Sequence, residues 1–90
     1  MNCFSELKYF GRSGKLYLIT RCEDKVIVDC ENYRIIVEMS GGTPVRVVVF
    51  LRDLDLKVES ENVETVKSFY EKILELRREG VHVSTKIQGT

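Results

Sequence analysis

The sequence contains no alanine or tryptophan, one histidine, one proline and no apolar run long enough to span a membrane. A transmembrane helix needs about 20 consecutive apolar residues, and a secretion signal needs a basic start followed by an apolar stretch. Because both patterns are missing, we predict a cytoplasmic protein with no membrane contact. The 14 basic and 14 acidic residues cancel, so any surface that attracts nucleic acid must be local.

The three cysteines show no Cys-x-x-Cys spacing, and the chain has a single histidine. Since a structural zinc site needs four nitrogen or sulfur ligands at short spacing, we predict no metal and no cofactor. Cys22 and Cys30 fall in phase with Leu18 and Val28, which favours two buried thiols that pack as small hydrophobes. The alternative is a disulfide, which intracellular proteins of hyperthermophiles can retain.

The length of 90 residues indicates one domain, residues 1–90. Glutamine occurs once, whereas Glu, Lys, Arg and Val are heavily used, and this composition is typical of a thermophile. A chain of this size buries a small share of its surface, so its stability as a lone monomer is marginal. We therefore expect a homodimer.

Most of the chain has the pattern of short strands separated by turns. Strands are predicted at residues 4–10, 15–22, 26–30, 33–39, 45–51, 54–58 and 81–87. The longest break is Ser40-Gly-Gly-Thr-Pro44, a hairpin loop. Leu54, Leu56 and Val58 alternate with charged residues, which predicts that one face of that strand is buried and the other is wet.

Residues 62–79 are predicted to form one long amphipathic helix. Ser60 or Asn62 can cap its start, and Gly80 can end it in a left-handed conformation. The predicted fold class is α+β, an antiparallel β-meander of five to seven short strands with one C-terminal amphipathic helix on one face. The apolar stripe of the helix consists of Val63, Val66, Phe69, Tyr70, Ile73 and Leu76.

One helix covers only one side of such a sheet, so the other side is the candidate contact surface. Arginine mixed with aromatic and aliphatic groups suits single-stranded nucleic acid, because guanidinium groups bind phosphates and rings stack on bases. The same mixture suits a protein interface, or internal packing with the arginines paired to Asp29 and Glu38. The residues assigned to this phase are Tyr17, Arg21, Arg34, Arg46, Phe50 and Arg52.

Lys15 to Tyr33 resembles the strand pair of the positive cofactor four family of single-stranded-DNA-binding transcription coactivators. The resemblance lies in Tyr17, Arg21, Lys25-Val26, Asp29 and Tyr33. Leu54 to Ile73 is similar to the last strand and helix of that family. The resemblance implies a curved antiparallel sheet that binds single-stranded DNA, dimerisation through the helix, and DNA contacts by Arg21 and Lys25.

The order of strands and terminal helix also resembles a pleckstrin-homology-type domain, in which the helix closes one end of a small barrel. The choice between an open sheet and a closed barrel is therefore left to the structure. In the barrel alternative the module serves protein interaction or assembly through the same face.

Few residues offer catalytic chemistry. His82 follows the predicted helix end, Asp53 and Asp55 alternate with leucines, and Gly41-Gly42 lacks the lysine and helix of a phosphate-binding loop. These patterns favour surface and hairpin roles. We predict that the protein is not an enzyme.

Overall fold

The computed structural model describes residues 2–88, with the side chains of residues 2–85. One helix and seven strands form the fold, together with a 3-10 turn at Arg52–Leu54. The elements are β1 (Cys3–Phe10), β2 (Lys15–Cys22), β3 (Lys25–Asp29), β4 (Tyr33–Ser40), β5 (Thr43–Leu51), β6 (Leu56–Ser60), α1 (Val63–Glu79) and β7 (Val81–Gln88).

The strands form one antiparallel sheet in the order β6-β5-β4-β3-β2-β1-β7. The predicted α+β meander with a C-terminal helix is confirmed. The chain adds strands in sequence order from β1 to β6, and α1 then returns it so that β7 pairs with β1. No pairing joins β6 to β7 in the part of the chain described, so the sheet has two edges and is not the closed barrel considered above.

Tight turns set the register of this meander. Glu23 and Asp24 form a two-residue loop, so Arg21 pairs with Val26 and Ile19 with Val28. A two-residue loop in an antiparallel hairpin fixes the pairing of the strands on both sides. Side chains that are directly opposite each other therefore share a face of the sheet.

Helix α1 packs on one side of the sheet, mainly over β5 and β4. Asn62 caps its start, since the Asn62 side-chain oxygen accepts a hydrogen bond from the Thr65 amide at 3.0 Å. Val66 and Ile73 are fully buried, while Phe69, Tyr70 and Leu76 are partly buried against the core. The sheet side of the core contains Ile19, Val26, Val28, Ile35, Val37 and Val47. Val63, predicted to join the buried stripe, is instead 75% exposed because it precedes the turns that reach the sheet.

The helix ends against β1 by a mechanism different from the predicted one. Gly80 does not adopt a left-handed conformation but is extended, at φ −72° and ψ 151°. The buried Lys8 side chain donates hydrogen bonds to the carbonyls of Arg77 and Gly80. These bonds satisfy carbonyl groups that otherwise lack partners at a helix end.

The cysteines do not share one apolar face. Cys3 and Cys22 lie opposite each other on β1 and β2 and form a disulfide. Cys30 is a buried free thiol on the α1 side of the sheet. The prediction of a buried thiol is therefore right for Cys30 and wrong for Cys22, which lies on the face of the sheet away from α1.

Strand β6 differs most from its predicted environment. Leu54 belongs to the 3-10 turn, and Leu56 and Val58 are 47% and 48% exposed on the α1 side of the sheet. Because α1 lies over β4 and β5, it leaves this outer strand uncovered. The predicted buried face of β6 is not buried.

Candidate interaction surface on the open face

We define the open face as the side of the sheet opposite α1. Its centre is a cross-strand row in which Ser5, Thr20, Ile27, Ile36 and Val48 are each opposite the next. Ser5 and Thr20 are buried, and their hydroxyl oxygens are 2.7 Å apart in a hydrogen bond. Ile27 and Val48 are also buried, so neighbouring side chains shield the middle of the open face.

One side of this row has charged residues that compensate one another. Lys25 is opposite Glu38, which in turn is opposite Arg46. The Arg46 Nη1 atom lies 2.8 Å from Glu38 Oε2, and the Arg46 Nη2 atom also binds Glu59. Two carboxylates therefore hold Arg46, which leaves little positive charge at this end for an anionic ligand.

The other side of the row contains a cluster of cations around an aromatic ring. Arg34 is opposite Phe50, and Phe50 is opposite Lys57. Lys57 Nζ lies 5.9 Å from the centre of the Phe50 ring, a cation–π distance. A cleft of about 410 Å³ surrounds these side chains and is called the Phe50 pocket. Its lining consists of Arg34, Phe50, Leu51, Arg52, Asp55, Leu56 and Lys57.

The cations of the Phe50 pocket differ in whether a carboxylate already neutralises their charge. Arg52 binds the carboxylate of Asp29, and Lys57 Nζ lies 3.1 Å from Glu59 Oε1. Arg34 is exposed, and no ion pair includes it among residues 2–85. Arg34 is therefore the cation of this pocket that an incoming anion meets without first breaking an ion pair.

Hydrogen bonding lowers the pKa of Glu59 below its ordinary value. The first cause is the hydrogen bond from Lys57, and the charge of Arg46 acts in the same direction. Glu59 is accordingly a carboxylate at neutral pH. It links the Arg46 end of the open face to the Phe50 pocket through its two basic partners.

The structure brings together only part of the predicted contact set. Arg34, Phe50 and Arg52 meet in the Phe50 pocket. Arg46 and Lys25 lie on the same face, but at the end where carboxylates neutralise the positive charges. The ion pairs with Asp29 and Glu38, named in the internal-packing alternative, form at Arg52 and Arg46.

Tyr17 and Arg21 do not lie on the open face, so the prediction for these two residues is wrong. They share the α1 side with Ile19, because β2 pairs Arg21 with Val26 and Ile19 with Val28. Tyr17 packs edge-to-face on Phe10, with ring centres 5.1 Å apart.

Arg21 is held at the helix end of the α1 side. Its guanidinium lies over the Phe4 ring at 5.2 Å and 3.7 Å from Glu6. Burial lowers the pKa of the nearby Arg77, and the charge of Arg21 lowers it further. Neither Tyr17 nor Arg21 can contribute to the open face.

Lys57 is a cation of the Phe50 pocket that is absent from the predicted contact residues. Its alternation with Leu56 and Val58 marked it as the wet side of a strand, without indicating which neighbour it would meet. The signal that could have identified it is the short connection from β5, since Arg52–Asp55 returns the chain and sets Lys57 opposite Phe50.

The residues considered for catalysis do not form a site. Asp53 lies in the 3-10 turn and Asp55 caps it, while the ring of His82 hydrogen-bonds to Thr85. Across the described residues there is no group of three or more side chains suited to hold a metal ion. Within the same range, no helix has the length and apolarity needed to cross a membrane.

Comparisons of the chain with protein-family models, with curated proteins and with solved structures give no match.

Proposed function

We propose that this protein is a non-catalytic binding module that holds single-stranded nucleic acid on its open face, with the Phe50 pocket as the anchor. The observation that supports the proposal is the grouping of Arg34, Arg52 and Lys57 around the ring of Phe50. A nucleotide combines an aromatic base with a phosphate. An aromatic ring beside several cations can bind both parts at once.

The pairing of charges limits how this binding works. Arg46 and Arg52 already bind carboxylates, so few cations are free to replace counterions around the phosphates. Single strands lose affinity with salt at a slope of about −0.7 per neutralised phosphate. Arg34 is the pocket cation outside any ion pair of the described side chains, so we expect a slope of about −0.7 in a plot of log affinity against log salt concentration.

The test is a titration of a labelled single strand of about 12 nucleotides, a length within the usual site sizes of single-strand-binding domains. Arg34→Ala should weaken binding and make the salt slope shallower by about 0.7, because it removes the unpaired cation. Arg46→Ala is the matched control. It removes an arginine from the same face, but one that Glu38 and Glu59 already neutralise.

Phe50→Leu tests the stacking half of the proposal, because leucine retains apolar bulk without the ring. The loss of base stacking is about 1–3 kcal/mol, or roughly 5- to 150-fold in affinity. Equal effects of Arg34→Ala and Arg46→Ala, or no binding at low salt, would contradict the proposal.

A second candidate function is protein interaction through the same open face. It is favoured by the neutralised charges around Arg46, an arrangement that resembles the polar rim of an interface. In that case Arg46→Ala changes the size of the assembly in sedimentation, whereas the oligonucleotide titration shows no binding.

We further propose a cytoplasmic setting in a thermophile. The linked ion pairs of Arg46, Glu59 and Lys57 support the thermophilic origin. The Cys3–Cys22 disulfide agrees with a cytoplasmic setting in such an organism, since intracellular proteins of hyperthermophiles retain disulfides.

A further inference from the structure

Strand β6 is an uncovered edge of the sheet. It pairs with β5 on one side, and no strand of the described chain pairs with its other side. Leu56 and Val58 are about half exposed, and the flanking Leu54 and Val63 are 70% and 75% exposed. An edge strand offers a row of unpaired backbone N–H and C=O groups, so exposed apolar side chains beside it mark a surface for strand addition.

We propose that a second copy of this chain pairs with this edge, β6 against β6 in antiparallel orientation and centred on Val58. The two sheets then join into one continuous sheet. The symmetry axis passes perpendicular to the sheet between the two Val58 residues. This is a closed two-fold dimer, in which both copies use the same surface.

Charge complementarity selects this register. With Val58 opposite the partner's Val58, Lys57 is opposite the partner's Glu59, and Glu59 is opposite the partner's Lys57. A shift of the axis by one residue in either direction sets Lys57 against the partner's Lys57, or Glu59 against the partner's Glu59. Opposite charges in directly paired positions stabilise a sheet, and like charges destabilise it.

Charged residues on an edge usually prevent pairing with other strands. Here the two charges have opposite signs and lie symmetrically about Val58. These charges destabilise shifted registers and stabilise the self-complementary register centred on Val58. The edge is therefore selective for a copy of itself.

The same register buries the exposed apolar groups. The two-fold axis keeps both α1 helices on one side of the joined sheet, so Leu56 and Val58 of each copy face the same groove. Ser60 is opposite the partner's Leu56. The half-exposed Leu56 and Val58 side chains of both copies therefore cover one another along the joined edges.

The test uses two charge variants, Lys57→Glu and Glu59→Lys, measured by sedimentation equilibrium without nucleic acid. Each variant alone places like charges opposite each other twice, so its dimer should weaken by about 4-fold or more. An equimolar mixture of the two variants restores opposite charges at both positions. It should therefore form heterodimers about as tightly as the unmodified chain forms homodimers.

The mixture also controls for misfolding, because an unfolded variant cannot be rescued by its complement, and far-UV circular dichroism checks each variant directly. Three results would overturn the proposal: an unmodified chain that stays monomeric up to millimolar concentration, single variants that dimerise as tightly as the unmodified chain, or a mixture that stays monomeric. None of these depends on the outcome of the oligonucleotide titration.

Discussion

Glycine is required at residue 80 because neighbouring side chains leave no space for a Cβ, and not because of its backbone angles. Its φ of −72° is open to any residue. A Cβ built at this position would lie 2.7 Å from two ring carbons of Phe10 and 3.0 Å from the Lys8 Cβ. The chain leaves α1 so close to β1 that a side chain has no room.

We predict that Gly80→Ala lowers the free energy of unfolding by about 1–3 kcal/mol, the usual cost of overpacking. Gly11→Ala is the control, because its Cβ would meet only one atom of Tyr9, at 4.0 Å. Denaturant unfolding of both variants provides the measurement. If the two glycines cost the same, the close approach of Phe10 does not explain the choice of glycine at residue 80.

Strand β1 is held by strand pairing on both sides and by a disulfide. It pairs with β2 and β7, and the Cys3–Cys22 disulfide crosses its first pair of residues. The two cysteines are separated by 19 residues. A disulfide over such a loop stabilises mainly by restricting the unfolded chain.

Replacing both Cys3 and Cys22 by serine should lower the free energy of unfolding by about 3 kcal/mol. A reductant should shift the urea midpoint of the unmodified chain in the same direction. The double variant should not respond to the reductant, since the buried Cys30 has no disulfide to lose. An unmodified chain with one midpoint in both conditions would show that the disulfide adds nothing to stability.

The sequence predicted elements better than faces. The capping signal at Asn62 and the spacing of Val66 and Ile73 sufficed to locate α1. The phase of β2 could not be assigned from composition, since both of its faces carry aliphatic residues, such as Leu18 and Ile19. The two-residue loop at Glu23-Asp24 contains that information, because it fixes which residues pair.

The candidate site was predictable only in part. Arg34 and Phe50 follow from the alternation in β4 and β5, which are apolar and long enough to show it. The exposure of Leu56 was not predictable, because alternation shows which residues share a face but not whether another element covers it. The position of α1 over β4 and β5 decides that, and it depends on packing between distant residues.

The partial burial of Tyr33 should make the free energy of unfolding of the whole molecule depend on pH. Burial raises the pKa of its phenol well above the ordinary value of 10.0, and a hydrogen bond with Tyr17 adds to the effect. Since the unfolded chain then releases this proton at lower pH than the folded chain, the contribution is present below about pH 10 and is lost as the pH rises further.

We therefore expect the free energy of unfolding to fall above pH 10, and to fall less steeply in a Tyr33→Phe variant. Tyr9→Phe is the control, because the Tyr9 side chain is 40% exposed on the other face. Chemical unfolding at several alkaline pH values measures both slopes. Identical slopes for the unmodified chain and Tyr33→Phe would rule out this source of alkaline sensitivity.

The hydrogen bonds from Lys8 to the end of α1 also affect the order in which the molecule folds during synthesis. The segment that emerges from the ribosome early must wait for residues 77–88, which supply both the carbonyls for its ammonium group and its second strand partner. Until residues 77–88 are translated, β1 is an exposed edge strand of the nascent meander. That edge of β1 keeps its backbone N–H and C=O groups unpaired until β7 forms beside it.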